Sequence, residues 1–545
     1  MDGASHIICP EMPEVKGSVR FIEGAALADY RKYLSDESRR EGTAAAIVFP
    51  VSTADVSAAV VEARRRNVPI TVSNARTGIA AGAVPQGGLL LSLERMNRIL
   101  GLTADDNGTL RLHCEAGVPL TAIQNGLRTG SFADSASWSA ADRQGLELLK
   151  RQRYTYPPDP TESGAAIGGT IACNASGAHT FRYGPTRPYV AAITVVLMDG
   201  RVVRLARGQH RPDAEGRFGI RQPDGTTRWG QVPTYPWPRT KNAGGYYSGA
   251  AMDLLDLFVG SEGTLGVITE AEVTAIPAPE ANCAVMTFWP DEKAAVSFTR
   301  SARQKRKELG LEALEYFGPN ALRMLRDRRA SIGAVSGVPE CLPETAVCGI
   351  YLDVGTAESE LQTVLADLCE LVSAEGGDPA QCWSAMARDE RERLRIFRHA
   401  LPETVNGTIA EIRRRYPTVT KLGTDMAVPD EHLERVLELY RSRLAEAGLT
   451  YVIFGHIGDN HLHVNIIPGN PEQYALGWEL YHEFAQQIVA MGGSPAAEHG
   501  IGKLKRDFLT ILYGPAGVRQ MQAVKEVFDP DRRLGLGTLF SGDTP

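Results

Sequence analysis

Between residues 156 and 205 the chain leaves itself few conformational choices. Tyr156-Pro157-Pro158-Asp159-Pro160-Thr161 carries three prolines in four positions. Each fixes φ and removes a backbone donor, so neither a helix nor a central strand fits there. Ile167-Gly168-Gly169-Thr170-Ile171-Ala172-Cys173-Asn174-Ala175-Ser176-Gly177 follows, and nearly every residue in it is small. Such a run lets the backbone approach a ligand closely and offers bare N–H groups to phosphate or ring oxygens. A glycine-rich loop that merely turns the chain is the plainer alternative. After Arg182-Tyr183-Gly184, residues 189–198 read as a buried strand, and Asp199-Gly200 predicts a hairpin with 201–205.

The upstream flank reads as a β-α-β unit. Residues 44–50 form its first strand, Ser52-Thr53-Ala54-Asp55 has the capping-box pattern for a helix over 54–66, and Ile70-Thr71-Val72 begins the second strand. The loop that leaves this strand, Ser73-Asn74-Ala75-Arg76-Thr77-Gly78-Ile79-Ala80-Ala81-Gly82-Ala83-Val84-Pro85, has glycines placed to cradle a pyrophosphate. Residues 89–93 and 110–115 read as strands, and a helix follows Pro119 to about Gly130. The aromatic-rich stretch 207–243 reads as an insertion or hairpin arm, either a lid or docking surface or a packed loop. Pro277-Ala278-Pro279 marks a domain boundary. Beyond it, strands at 283–289, 346–353, 418–427, 450–455 and 461–467 alternate with helices at 291–308, 357–374, 430–447 and 471–491. That order predicts an α+β unit on a mostly antiparallel sheet.

Three of the chain's eleven histidines fall in Phe454-Gly455-His456-Ile457-Gly458-Asp459-Asn460-His461-Leu462-His463-Val464-Asn465. A turn at Gly458-Asp459 pairs His456 with His461 and puts His463 on the same face. His456 and His463 then lie on a diagonal of roughly 7 Å, within reach of one ion. Ala497-Glu498-His499-Gly500 adds a carboxylate. Two histidines and one glutamate with an open position make a catalytic rather than a structural metal set, suited to Zn or Mn.

Composition bears on the function classes. At 545 residues the chain exceeds a single core. Its net charge of −7 argues against nucleic acid as a partner. The eight cysteines form no CxxC pair, which points away from a disulfide framework or an iron–sulfur cluster. Residues 1–25 hold acids and no apolar run, so no export leader is read there, and 189–198 is too short to span a bilayer. A cytoplasmic protein is expected. Basic clusters at 326–329, 388–398 and 413–415 read as solvated faces, with peripheral contact with an anionic membrane as the alternative. A homodimer is left open.

Taken together, PPDP, GGxIAxNAxG, RYG and the strand pair around Asp199-Gly200 resemble the FAD-linked oxidases of the vanillyl-alcohol-oxidase type. The resemblance covers nearly the whole chain. It implies a two-part FAD domain (1–278, rejoined by a C-terminal segment, 501–545) and an α+β cap (279–500). The flavin contacts it implies are Arg76, Thr77, Gly78, Gly82 and Ala83 in the phosphate loop. They continue with Pro158, Asp159, Gly168, Gly169, Asn174, Ala175, Ser176, Gly177, Tyr183 and Gly184, then Glu262, Gly263, Gly266, Val267 and Ile268. The phosphate loop departs from the family's RGGGTGLSGGAVP at Ser73, Asn74, Ala75 and Arg76. It holds no histidine, so histidyl attachment there is excluded and non-covalent FAD is expected.

Gly455-His456 to His463 is similar to the GHxGDGNxH motif of the D-2-hydroxyacid dehydrogenase branch, which includes D-lactate, glycolate and D-2-hydroxyglutarate enzymes. The resemblance implies His456, His463 and Glu498 as metal ligands and His499 as the proton-handling residue. It also implies Arg398 and Lys421 as cations for a substrate carboxylate. Asn460-His461 stands where the family has Gly-Asn, so His461 is an extra ligand, a residue supporting the ligands, or neither. The implied activity is oxidation of a D-2-hydroxy acid, lactate-like, with electrons passed to an electron-transfer flavoprotein, a quinone or a cytochrome. A metal-independent flavin oxidase of an alcohol or phenol, and a non-catalytic flavin-binding subunit, are the alternatives.

Overall fold

The computed structural model describes residues 7–11, 19–105 and 107–541. Of residues 1–25, read above as lacking a leader, 1–6 and 12–18 lie outside the described residues, as do the last four residues of the C-terminal segment.

Ala-Ile-Val at β1 (Ala46–Val48) is wholly buried, and the helix α1 (Thr53–Arg65) starts where Ser52 Oγ accepts from the Asp55 N–H. Val56, Ala59, Val60 and Ala63 turn its apolar stripe inward. β2 (Ile70–Ser73) and β3 (Leu89–Ser92) complete the unit, both β1 and β2 running parallel to β3. The chain then builds a second, antiparallel sheet from Ile99–Ala104, β4 (Leu110–Glu115), β5 (Val190–Val196), β6 (Val202–Ala206) and β7 (Val267–Pro277). β5 and β6 form the expected hairpin about Asp199-Gly200, with Val196 opposite Val202. The small-residue segment supplies one short helix, α2 (Ile167–Ala172). The 207–243 stretch is a packed arm: strands Arg217–Arg221 and Thr227–Gln231 pair, and Tyr235 is buried against Tyr513 at 4.1 Å.

β7 ends at Pro277, and β8 (Ala281–Trp289) opens a different sheet. This sheet has eight strands, and every described pairing in it is antiparallel. Its middle runs β8, β10 (Cys348–Thr356), β9 (Leu311–Phe317), β11 (Tyr451–His456), β12 (His461–Ile466). The strand expected over 418–427 is broken into Leu422–Gly423 and Met426–Ala427. Between them the Thr424 N–H still donates to Val464 O, but the Thr424 hydroxyl accepts the Val464 N–H, and Asp425 is fully buried. A 28-residue helix, Arg388–Arg415, carries two of the basic clusters, and Arg391 and Arg395 in it are paired to Asn282 O and Glu392. The last helix, Arg506–Phe528, leads back to the first sheet, where Ile70 exchanges backbone hydrogen bonds with Arg533 and Gly535. Among the described residues no helix is long and apolar enough to cross a membrane.

Candidate active site

A cleft opens above the carboxyl end of β2. Its walls include Arg76, Thr77, Gly78, Gly82 and Ala83 from the loop after β2, and Gly168, Gly169, Ala175 and Ser176 from α2 and its exit. Glu262, Gly263, Gly266 and Ile268 line it as well, and so do Glu498 and His499 from the other end of the chain. A Cβ on Gly78 or Gly169 would meet nothing within 4 Å, so both present bare backbone to open space. Ser73 Oγ and Ser176 Oγ are buried on its walls without a hydrogen-bond partner, which a polar ligand would supply. The remaining expected contacts stand behind the wall. Asn174 Oδ1 accepts from the Arg187 N–H, Asp159 pairs with His179 at 3.3 Å, and the Tyr183 hydroxyl donates to Glu312. Gly177 lies against the Asp159 carbonyl, Gly184 caps the short helix Thr180–Tyr183, and Pro158 and Val267 are buried.

At the cap side of the cleft, the β11–β12 register pairs His456 with His461, as a turn near Gly458-Asp459 requires. Ring centroids lie 5.3 Å apart for His456 and His461, 4.4 Å for His461 and His463, and 5.2 Å for His456 and His463. Gly455, at φ +114°, leaves the space the His463 ring fills: a Cβ there would sit 2.7 Å from His463 Cδ2. One donor atom from each of His456, His461, His463 and Glu498 falls within 4.8 Å of the others. Atoms held 2.0–2.1 Å from one ion lie at most about 4.2 Å apart, so small side-chain shifts would close the set. One of its nitrogens, His461 Nδ1, is buried and unpaired, as a metal-binding lone pair would be.

Each of these side chains is oriented by a partner behind it. The His456 Nδ1–H donates to Glu315 on β9, which turns Nε2 toward Glu498 Oε1, 3.2 Å away. The His463 Nδ1–H donates to Thr424 O at 3.1 Å, which leaves Nε2 facing Glu498 Oε2 at 3.9 Å. Asp425 accepts from the backbone N–H groups of Glu498 and His499, at 2.9 and 3.0 Å, and from Lys505 Nζ at 2.7 Å. Glu262 fixes the two residues after Gly500, accepting from the Ile501 and Gly502 N–H groups. The Lys241 ammonium is buried beside Glu498 and also donates to Gly177 O.

The charges follow from this packing. Burial raises the Glu498 pKa, but His456 and Lys241 outweigh it and hold the carboxyl well below the usual range. Burial lowers the His456 pKa, yet Glu315 and Glu498 raise it to about 9. Burial takes His461 down to about 4 and His463 well below the ordinary imidazole value. His499 is also lowered, by burial and against the pull of Asp425. A divalent ion would replace the His456 proton and satisfy the carboxylate.

Arg398 sits one carboxylate from the cluster: its Nη2 lies 3.2 Å from Glu315 Oε2. Lys421 is half-buried, and burial together with the Arg39 guanidinium lowers its pKa. Arg76 lies over the Tyr33 ring at 4.4 Å and 3.5 Å from Glu94. Sequence reasoning passed over Glu315, Asp425 and Lys241. Asp425 and Lys241 stood inside stretches noted for other residues, whereas nothing around Glu315 marked it.

Comparison with known proteins gives a consistent picture. Residues 278–538 match the family described as FAD linked oxidases, C-terminal domain, and residues 44–146 and 143–206 match FAD binding domain. The chain is 30% identical over 501 residues to a D-lactate dehydrogenase of Anaerostipes hadrus, covering 90% of this chain and 89% of the relative. It is 29% identical over 529 residues to a D-2-hydroxyglutarate dehydrogenase of Xanthomonas citri pv. viticola, covering 94% and 93%. Its fold is shared with p-cresol methylhydroxylase, at a TM-score of 0.62, 15% identity, and 95% and 93% coverage.

Proposed function

The chain belongs to the FAD-linked oxidases, and from that premise we propose that it oxidises a small D-2-hydroxy acid, lactate-like, to the 2-oxo acid. The observation that carries the reading is shared geometry: Glu498 and His499 line the same cleft as the flavin-loop glycines Gly78 and Gly169. A flavin held by those glycines would meet the metal-ligand cluster without any rearrangement of domains.

In this reading Arg76, Thr77, Gly78, Gly82 and Ala83 hold the FAD diphosphate end, and α2 with Ser176 holds the rest. The flavin is bound without a covalent link to the 73–85 loop. His456, His463 and Glu498 hold a divalent ion. Bound FAD supplies the hydride acceptor, and a bound ion supplies the Lewis acid for the substrate's hydroxyl and carboxylate. His499, kept neutral by burial, takes the hydroxyl proton. Its backbone is fixed by Asp425, so the imidazole is presented from a rigid segment. Arg398 and Lys421 supply cations for the carboxylate. Electrons leave to an electron-transfer flavoprotein, a quinone or a cytochrome. The FAD part (1–278 with 501–545) and the cap (279–500) divide where one sheet ends at Pro277 and another opens at Ala281.

A panel of D- and L-2-hydroxy acids mixed anaerobically with the purified yellow protein tests this. Bleaching by a D acid within seconds, and slow or no bleaching by its L enantiomer, is expected. Failure of every 2-hydroxy acid to bleach the flavin, with reduction by a simple alcohol or phenol instead, would overturn it.

A further inference from the structure

We infer that His461 is a fourth protein ligand, binding through Nδ1, so that the ion is held by three imidazoles and one carboxylate. The inference rests on the metal-assisted reading above and narrows it.

Four observations converge on this residue. Its register position opposite His456 and two before His463 puts all three rings on one face of the hairpin. Its ring is the nearer neighbour of His463, at 4.4 Å. Nδ1 points at the carboxylate that the other two histidines address, 3.9 Å from Glu498 Oε1. Finally, the side chain is 0% exposed, and Nδ1 has no hydrogen-bond partner. Asp425 Oδ1 lies 3.1 Å from the other ring nitrogen, Nε2. A buried imidazole nitrogen left unpaired is costly unless something binds it. With an ion at Nδ1, the Nε2–H faces Asp425, and a carboxylate behind a ligating histidine fixes its tautomer. Asp425 then braces the site twice, through the His461 ring and through the Glu498 backbone.

Donor number decides which ion can work here. Four protein ligands complete a tetrahedral zinc site and close it. A chelating 2-hydroxy acid needs two further positions, for its hydroxyl and carboxylate oxygens. The set therefore suits an ion that readily takes six mixed N and O ligands, such as Mn(II), Fe(II) or Co(II), over a four-coordinate zinc.

The test uses flavin-replete protein stripped of metal by a chelator and loaded with one equivalent of Co(II). X-ray absorption counts the imidazoles on the cobalt, and visible absorption reports coordination number. Three imidazoles and weak, six-coordinate-type bands that shift on adding the substrate acid are expected. His461→Asn should reduce the count to two and weaken Co(II) binding by more than the 10–100-fold typical of a residue that only supports a ligand. His461→Gln, judged by an unchanged flavin spectrum, guards against a folding defect in the first variant. Two imidazoles in the unmutated protein would overturn the assignment, as would a count unchanged by both substitutions. Intense four-coordinate bands would overturn the open-position argument. Failure of the unmutated protein to take up Co(II), Mn(II) or Zn(II) would instead remove the metal-assisted reaction itself.

Discussion

His499 directly follows Glu498, its N–H is anchored to Asp425, and its ring stacks on His463 at 5.6 Å. Loss of a general base typically lowers turnover by about 10²–10⁴-fold. His499→Asn is expected to lower kcat by that order while flavin and metal content stay at wild-type levels. Recovery of the rate on adding excess metal would make it a support for Glu498 instead. Arg398 presents a sharper choice between the proposed role on a substrate carboxylate and the contact it makes, with Glu315, which orients His456. Arg398→Lys loses the fork geometry and should cost roughly 1.5–3 kcal/mol in kcat/KM, with metal content unchanged. A fall in metal content of the same variant would mean that Arg398 acts through Glu315. The histidines were legible because alternation along a strand fixes which side chains share a face. Glu315 and Asp425 were not, because a lone acid in a sequence carries no sign of the buried partner that justifies it.

At the scale of elements, the hairpin β11–β12 and the unit β1-α1-β2 were readable from turn residues and a capping serine. β9 was not. Leu-Glu-Ala-Leu-Glu-Tyr-Phe is rich in good helix formers, yet all seven residues are buried in a central strand. Tertiary partners override the propensity: Glu312 meets Tyr183 and Glu315 meets His456 and Arg398. The 418–427 strand is interrupted where the Thr424 hydroxyl accepts the Val464 N–H and Asp425 accepts the Glu498 and His499 N–H groups. The segment after His499 is equally constrained. Gly502 has φ +54°, and a Cβ on it would sit 1.9 Å from Ala80 O in the phosphate loop. Gly502→Ala should lose at least about 1–3 kcal/mol from the left-handed backbone alone, with the clash in addition. Thermal melting and flavin retention after gel filtration should both drop. A wild-type melt with full flavin content would show that this contact is not what holds the segment to the loop.

Over the whole molecule, an ion-pair bridge ties the proline and small-residue segment to the eight-stranded sheet. His179 bridges Asp159 on the flavin side and Asp353 on β10, at 3.3 and 3.1 Å. Burial lowers its pKa, but the two aspartates outweigh burial and raise it to about 9. A pKa raised on folding contributes stability in full below the unfolded value near 6.5, and that stability is lost as pH rises through about 9. The difference in urea midpoint between pH 6 and pH 9 should therefore be larger for the unmutated protein than for His179→Gln. Equal differences would remove the pair from the account. The same architecture puts Glu498, the carboxylate of the histidine cluster, on the wall of the cleft lined by Gly78 and Gly169. Anaerobic flavin reduction by a D-2-hydroxy acid, followed in metal-stripped and metal-restored samples of one preparation, tests that coupling directly. The account predicts an unchanged oxidised flavin spectrum on stripping, loss of bleaching, and its return with the ion. Equal bleaching rates in the two samples would contradict it.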